Sequence, residues 1–262
     1  MTSTIVTYQM ISNNMLRSLQ QTAEKPDVSR DTDYFLKNIG KAKTIDDFLG
    51  DYRLYSYAMK AYGLSDMTYA KAFMRKVLTE GISSKNAFAN KLVDRRYRDF
   101  AAAFNFAALG DHATNTTAAT TGTANKYVRQ ALEEDAGSKS EGVRLALYFE
   151  RKASTITSPY QILSDKALIQ VVQTALGISS MTSMADVDKQ AAMLSKRIDF
   201  ADFKDPAKLK TFLQRFSAMW DVQNSDAAST SPALAIITGG QSRDMGLNAD
   251  ILTSLQNLKF GR

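Results

Sequence analysis

The apolar residues of this chain recur at every third or fourth position, which is the spacing of one face of an α-helix. The clearest segment runs from Ile45 to Tyr62 and carries apolar residues on two sides. Similar segments predict helices at about 67–79, 86–92, 95–108, 126–135 and 141–154. Alternating β-branched runs are missing, and the best apolar non-helical segment is Leu234–Thr238. The pattern therefore predicts an all-α, multi-helix protein.

The residues that helix ends require stand beside these segments. Thr44 with Asp47 resembles a capping box, and both Ser158-Pro159 and Asp205-Pro206 place proline after an N-cap residue. Glycine follows several apolar segments, where a left-handed C-cap is favoured. The glycines in this position are Gly40, Gly63, Gly81, Gly110 and Gly177.

An offset of 114 residues aligns residues 34–67 with residues 148–181 without a gap, giving nine identities in thirty-four positions. The identities include Tyr34/Tyr148, Phe35/Phe149, Asp51/Asp165, Gly63/Gly177 and Met67/Met181. Chance is the alternative explanation, because helical proteins share Leu, Ala and Gly. The alignment predicts an internal duplication, with related helical halves at about 33–108 and 147–222.

The remaining residues flank or connect the two halves. Residues 1–32 are predicted to form an amphipathic helix and a linker, residues 109–146 a Thr-rich linker with connecting helices, and residues 223–262 a flexible stretch and an amphipathic helix. Within the connection, Asp111–Thr123 lacks apolar anchors and predicts an exposed linker or long loop. The terminal apolar stripes are Ile5, Tyr8, Ile11, Met15 and Leu19, and Leu247, Ile251, Leu255 and Leu258. Either both stripes pack on the core or on each other, or one of them binds a partner.

Composition excludes several kinds of chemistry. With 262 residues, no Cys and a single His, the chain cannot form disulfides or thiolate metal sites. His112 lies in the Thr-rich segment without an orienting partner, which favours a surface residue over a catalytic base. Neither a phosphate-binding loop nor a dinucleotide-binding motif is present. No catalytic residue, metal or cofactor is predicted, and neither a membrane span nor a cleavable signal peptide is expected.

Acidic residues cluster at Asp46-Asp47-Asp51 and at Glu133-Glu134-Asp135. Paired carboxylates can perform acid–base chemistry or bind Mg²⁺, which leaves a carboxylate enzyme as the weakest reading. Helix capping or solvation explains them better, because Asp46 and Asp47 lie in a first helical turn and Asp51, like Asp165, can cap a following helix.

The net charge of +6 raises the alternative of nucleic-acid binding. Residues 33–108 carry +5 and residues 147–222 carry +2, so the excess lies in the first half. Its densest point contains Arg95, Arg96 and Arg98, which are the candidate contacts for an anion or a partner. Asp94 and Asp99 interrupt this cluster, which favours a solvated helix face over a nucleic-acid groove.

Several strings of the chain resemble a bacterial family known only as a domain of unknown function. They are IGKAKTIDDFLGDYRLYSYAMKAYGLSDMTYAKAFMRKVLTEG, FANKLVDRRYRDFAAAFNF, YVRQALEEDAG, GVRLALYFERKA and DPAKLKTFLQRFSAMWD. The resemblance implies an all-helical protein whose gene often lies among flagellar genes, and it supplies no catalytic or ligand residues.

These observations favour a non-enzymatic, flagellum-associated structural, assembly or regulatory protein that contacts protein partners, including flagellar components, through helices. Such a protein is expected in the bacterial cytoplasm or at the flagellum. The alternative is a cytoplasmic helical interaction module, or a nucleic-acid-binding module that uses the basic helix face.

Overall fold

The computed structural model describes residues 3–224 and confirms the all-α prediction, since no β-strand occurs within that range. Short 3₁₀ turns join several of the helices, at Ile39–Lys41, Ser65–Met67, Gly110–Asn115, Ser180–Met184 and Phe200–Lys204. The α-helices of this range are α1 (Thr4–Asn13), α2 (Met15–Ala23), α3 (Pro26–Asn38), α4 (Ile45–Gly50), α5 (Tyr52–Ala61), α6 (Lys71–Glu80), α7 (Phe88–Lys91), α8 (Arg95–Ala103), α9 (Phe106–Leu109), α10 (Thr121–Lys139), α11 (Glu141–Ala153), α12 (Pro159–Leu163), α13 (Lys166–Leu176), α14 (Val187–Arg197) and α15 (Pro206–Asn224).

Two clusters of buried side chains form the cores of the fold. The first lies among α3 to α10, and its centre is aromatic: the rings of Phe48 and Phe104 stack with centroids 4.7 Å apart. The second lies among α10 to α15 and includes Phe149, whose ring meets that of Phe203 edge-on at 5.1 Å. The long helix α10 packs on α5 on one side and on α11 on the other, so it joins the two cores.

Two predicted helices are each divided by a side-chain cap. The segment 45–62 breaks at Asp51, whose carboxylate accepts the backbone N–H groups of Arg53 and Leu54, each at 3.0 Å. The segment 95–108 breaks near Asn105, whose side chain accepts the N–H of Ala108 at 3.2 Å. A side-chain oxygen that satisfies the free N–H groups of a new helix lets the chain turn without leaving buried donors unpaired.

The arrangement around Asp51 occurs again 114 residues later, around Asp165. The Tyr34 hydroxyl donates to Asp51 at 2.8 Å, and the Tyr148 hydroxyl donates to Asp165 at 2.6 Å. Asp165 also accepts the backbone N–H groups of the first turn of α13, as Asp51 does for α5. The preceding helices, α4 and α12, begin at equivalent positions after the N-caps Thr44 and Ser158, both of which were predicted.

Four of the five predicted C-cap glycines have the left-handed backbone that such a position requires. They are Gly63, Gly81, Gly110 and Gly177, with φ between +54° and +71°. The prediction for Gly40 is wrong, because this residue lies inside a 3₁₀ turn that continues from the end of α3. Its backbone carries no positive φ, so the preceding helix ends by tightening rather than by reversing.

The Thr-rich segment Asp111–Thr123 is only in part the exposed linker that its composition predicts, since six of its thirteen residues are exposed and four are buried. Thr114 and Thr123 are fully buried, as are the two alanines Ala113 and Ala119. The Thr114 hydroxyl donates to the carbonyl of Ala42 at 3.0 Å. Because threonine hydroxyls can bond to backbone carbonyls, buried threonines and alanines can attach this segment to the rest of the fold without large apolar side chains.

The predicted N-terminal stripe lies on the second core, where Tyr8 is buried and both Ile11 and Met15 pack against the cluster. At the other end, α15 continues to Asn224, so the flexible stretch predicted from residue 223 does not begin there. The predicted C-terminal helix and the segment Leu234–Thr238 lie outside the described residues.

Candidate protein-docking surface

The three predicted arginines have different surroundings. Arg96 is half-buried, and its Nη2 and Nε atoms donate to Oδ2 of Asp94 at 2.7 and 2.9 Å. Its Nη1 atom also donates to the carbonyl of Gly63. It therefore ties α8 to the C-terminal end of α5. Arg95 and Arg98 are exposed on the outer side of α8. The predicted anion or partner contact is therefore reduced to two accessible guanidinium groups, those of Arg95 and Arg98.

The acidic cluster at residues 133–135 also divides. Glu133 is only 2% exposed and accepts hydrogen bonds from Arg151 at 2.7 Å and Arg129 at 3.0 Å, so the prediction of capping or solvation is wrong for this residue. Glu134 and Asp135 lie nearer the surface and pair with Lys60 and Lys25. The buried carboxylate joins α10 to α11 and does not face solvent.

The other polar residues of interest are structural or solvated. Thr44 and Asp47 form the predicted capping box, in which Asp47 accepts the Thr44 N–H at 2.9 Å. Hydrogen bonds to this carboxylate from the Thr44 side chain and from the Thr44 backbone N–H lower the pKa of Asp47. His112 is exposed and lies 3.5 Å from Asp111, which confirms the prediction of a surface histidine.

Four exposed apolar side chains lie on α12, on the turn Ser180–Met184 and on α14, and both α12 and the turn contact α14. Met181 is 71% exposed and Met184 is 85% exposed, and Val187 and Tyr160 each have more than half of the residue exposed. The Tyr160 hydroxyl donates to Asp188 at 2.8 Å, which holds α12 beside the first turn of α14. We call these four residues the methionine surface.

Hydrogen bonds to the interior fix the turn that carries the two methionines. Gln190 is buried and donates to the carbonyl of Ala185 at 2.7 Å, while Gln173 donates to the Ser183 hydroxyl at 2.8 Å. Asp186 then caps α14 by accepting the N–H of Asp188 at 2.9 Å. Gln173 and Gln190 therefore tie this turn to α13 and α14, while the side chains of Met181 and Met184 are exposed. Exposed apolar side chains that lie together are typical of a protein-binding surface.

The family model described as protein of unknown function (DUF1217) matches residues 61–209, which is more than half of the chain. This chain belongs to the DUF1217 family. A crystal structure of a protein from Agrobacterium tumefaciens is 52% identical, covers 84% of this chain and 94% of its own, and gives a TM-score of 0.78. No curated protein matches the chain. The prediction of an uncharacterised family is thus confirmed.

The described part of this DUF1217 protein offers open grooves to small ligands. One, of about 490 Å³, lies beside α3, and its charged lining residues are Glu24, Arg30, Asp33, Lys37 and Arg53. Another, of about 680 Å³, follows the end of α14 and is lined by charges of both signs. Within residues 3–224, no three His, Asp or Glu side chains are arranged to hold a metal ion. No helix in that range is both long and apolar enough to cross a membrane.

The sequence of this DUF1217 chain does not distinguish the methionine surface from a buried apolar face. Met181, Met184 and Val187 are spaced like an apolar helix face, so a pattern search assigns them to a core. The only contrary signal is the cluster Asp186-Val187-Asp188, in which two charges surround one apolar residue. Which side of the turn faces the interior depends on Gln173 and Gln190, and these bonds form only in the folded chain.

Proposed function

We propose that this protein is a non-enzymatic structural, assembly or regulatory protein of the bacterial flagellum, and that it binds a partner protein through the methionine surface. The observation that carries the proposal is the exposure of Met181 and Met184 on a turn that hydrogen bonds from Gln173 and Gln190 tie to α13 and α14. Solvating two thioethers is unfavourable, and a partner that covers them recovers that free energy.

The occupant that fits this surface is an amphipathic helix of another protein. Methionine side chains are flexible and polarisable, so they adapt to the apolar face of a helix better than branched residues do. Asp186 and Asp188 border the cluster, and their negative charge disfavours both anionic lipid and nucleic acid. Lys189 adds a positive charge, giving the mixed polar rim that protein interfaces have.

The flagellar part of the proposal comes from the gene neighbourhood that the family resemblance implies, which is an association rather than a physical argument. Two features of the chain are compatible with it. The fold is helical throughout the described residues, and the absence of Cys suits a protein that can be exported and assembled. The proposal puts the protein in the bacterial cytoplasm or at the flagellum.

A genetic experiment tests both parts. Deleting the gene should impair swimming and flagellin export, and the wild-type gene should restore them. A gene that carries Met184→Asp should fail to restore them, because a carboxylate in an apolar interface is desolvated without a partner. The matched control is Leu16→Asp, since Leu16 on α2 is 85% exposed, as is Met184.

Each outcome of this experiment decides one part. A deletion strain with normal flagella, motility and flagellin export overturns the flagellar role. A Met184→Asp gene that restores motility as well as the wild type overturns the methionine surface as the docking site. The free energy of unfolding of both variants should lie within about 0.5 kcal/mol of the wild-type value, as expected for surface substitutions. Measuring it by chemical denaturation separates a loss of folding from a loss of binding.

We also propose that the halves at about 33–108 and 147–222 arose by internal duplication. The support is the repeated tyrosine–aspartate–helix arrangement of Tyr34 with Asp51 and Tyr148 with Asp165, at an offset of 114 residues. The expected result is that, in an experimental structure, the backbone of residues 34–67 superposes on that of residues 148–181 better than on any other equally long segment. A different segment that superposes better overturns the duplication.

A further inference from the structure

Helix α1 is apolar on the side that faces the protein and on the side that faces away. Its sequence, TIVTYQMISN, contains no charged residue. Tyr8 is buried against the second core, while on the opposite side Val6 is 51% exposed and Met10 is 66% exposed. An apolar helix face is normally covered by another part of the protein or by a partner. The outer face of α1, formed by Val6 and Met10, has no such cover within residues 3–224.

The orientation of α1 is fixed by polar contacts on its inner side. The Asp221 carboxylate on α15 accepts the Thr4 N–H at 3.0 Å and the Ser3 hydroxyl at 2.8 Å, so it caps the first turn of α1 from another helix. Burial opposes the charge on Asp221, but these hydrogen bonds outweigh it and lower the pKa of the carboxyl. At the other end, Ser12 donates to Glu150 at 2.9 Å. Val6 and Met10 are therefore held outward.

The contact with Asp221 also locates the start of the remaining chain. Helix α15 ends at Asn224, three residues after the aspartate that caps α1. Residues 225–262 therefore begin beside the N-terminal end of α1. A chain of 22 residues, the number from 225 to 246, can span at most roughly 70 Å, whereas the ten residues of α1 extend only about 15 Å. Leu247 can thus reach the whole outer face.

The sequence after this linker has the pattern of a helix with one apolar face. Leu247, Ile251, Leu255 and Leu258 follow i+4 and i+3 steps, and Asp250 is the single charged residue between 247 and 258. A segment so poor in charge matches the uncharged surface of α1, because interface cores exclude charged groups. These residues lie outside the described range.

We propose that the segment Leu247–Leu258 packs on the outer face of α1 in the same molecule, against Val6 and Met10. In this arrangement the segment Leu247–Leu258, called the tail below, covers α1, and the methionine surface stays accessible to a partner. This inference does not depend on the proposed function.

Cysteine cross-linking tests the proposal directly, because the chain contains no Cys of its own. The variant Met10→Cys/Leu255→Cys should form an intramolecular disulfide under mild oxidation. The matched control is Met10→Cys/Thr253→Cys, since Thr253 lies on the opposite side of a helix over these residues. Both pairs have the same tether, so the expected rate difference, at least tenfold, measures docking rather than proximity along the chain.

Three results would overturn the proposal. Equal rates for the two pairs mean that the segment does not dock on α1, and disulfide-linked dimers mean that a second copy covers this face. A faster cross-link from Leu255→Cys to Met184→Cys than to Met10→Cys means that the tail covers the methionine surface, which would also overturn the proposed function.

Methionine oxidation in the unmodified full-length protein gives a second measurement. If the tail covers α1, peroxide should convert Met10 to the sulfoxide several times more slowly than it converts Met184 in the same molecule. Peptide mass spectrometry reads both sites. Oxidation of Met10 at the rate of Met184 would contradict the proposal even if a cysteine variant failed to fold.

Discussion

Replacing Glu133 with glutamine is expected to lower the free energy of unfolding by about 3–5 kcal/mol, because breaking a buried ion pair from one side leaves buried charge without a partner. Glu133 is almost fully buried and accepts two hydrogen bonds from Arg151, each at 2.7 Å, and one from Arg129. A neutral amide cannot compensate both guanidinium groups. Urea unfolding followed by far-ultraviolet circular dichroism measures the change.

The adjacent residue provides the control. Glu134 pairs with Lys60 at 2.8 Å, but its side chain is exposed to solvent. Exposed ion pairs contribute about 0–1 kcal/mol, so Glu134→Gln should leave the unfolding midpoint nearly unchanged. The two variants remove the same charge from neighbouring positions of α10. Equal midpoints would show that the buried network around Glu133 contributes no more than a surface pair.

The second large effect is expected for Gly81→Ala, which should lower the free energy of unfolding by about 2–6 kcal/mol. Gly81 ends α6 with φ +62° and ψ −143°, a conformation that strains any residue with a side chain. An added Cβ would also lie 2.7 Å from the Cβ of Ala107, which has no rotamer to move away. The backbone strain and the steric overlap therefore add.

Gly110→Ala separates these two contributions. Gly110 has nearly the same backbone, with φ +54° and ψ −127°, but no other group lies within 4 Å of an added Cβ. This variant should lose only the strain, about 1–3 kcal/mol. Chemical denaturation of both variants should therefore differ by about 1–3 kcal/mol, the overpacking cost. If Gly110→Ala is as destabilising as Gly81→Ala, the contact with Ala107 is not the cause.

Most features of the fold that depend on neighbouring residues could be predicted from the sequence. The all-α class follows from the apolar spacing, and the caps at Thr44, Ser158 and Asp205 follow from residue types that bond to the first turn of their own helix. Helix breaks were harder to predict. The apolar stripe from Ile45 to Tyr62 continues through Asp51, and only the cap geometry shows that the chain turns there.

The candidate site was much less predictable. The cluster of arginines was visible in the sequence, but Arg96 became structural because the carbonyl of Gly63, 33 residues away, lies beside it in the fold. Capping or solvation is predicted for the acidic cluster at residues 133–135, but Glu133 is buried. Its burial depends on Arg151, which a different helix carries. Contacts between helices have no periodic signature in the sequence.

The sequence by itself determined the helical class, most caps and glycine ends, the family resemblance and the absence of cysteine chemistry, because each depends on composition or on residues within about one turn. Only the tertiary structure decided that four residues of the Thr-rich segment are buried, that Glu133 is an internal ion-pair partner, and that Met181 and Met184 face solvent. Whether an apolar or polar residue is covered depends on which distant helix packs against it. In this protein, the packing of α10 on α5 and α11 covers Glu133, and hydrogen bonds from Gln173 and Gln190 hold the turn that exposes the two methionines.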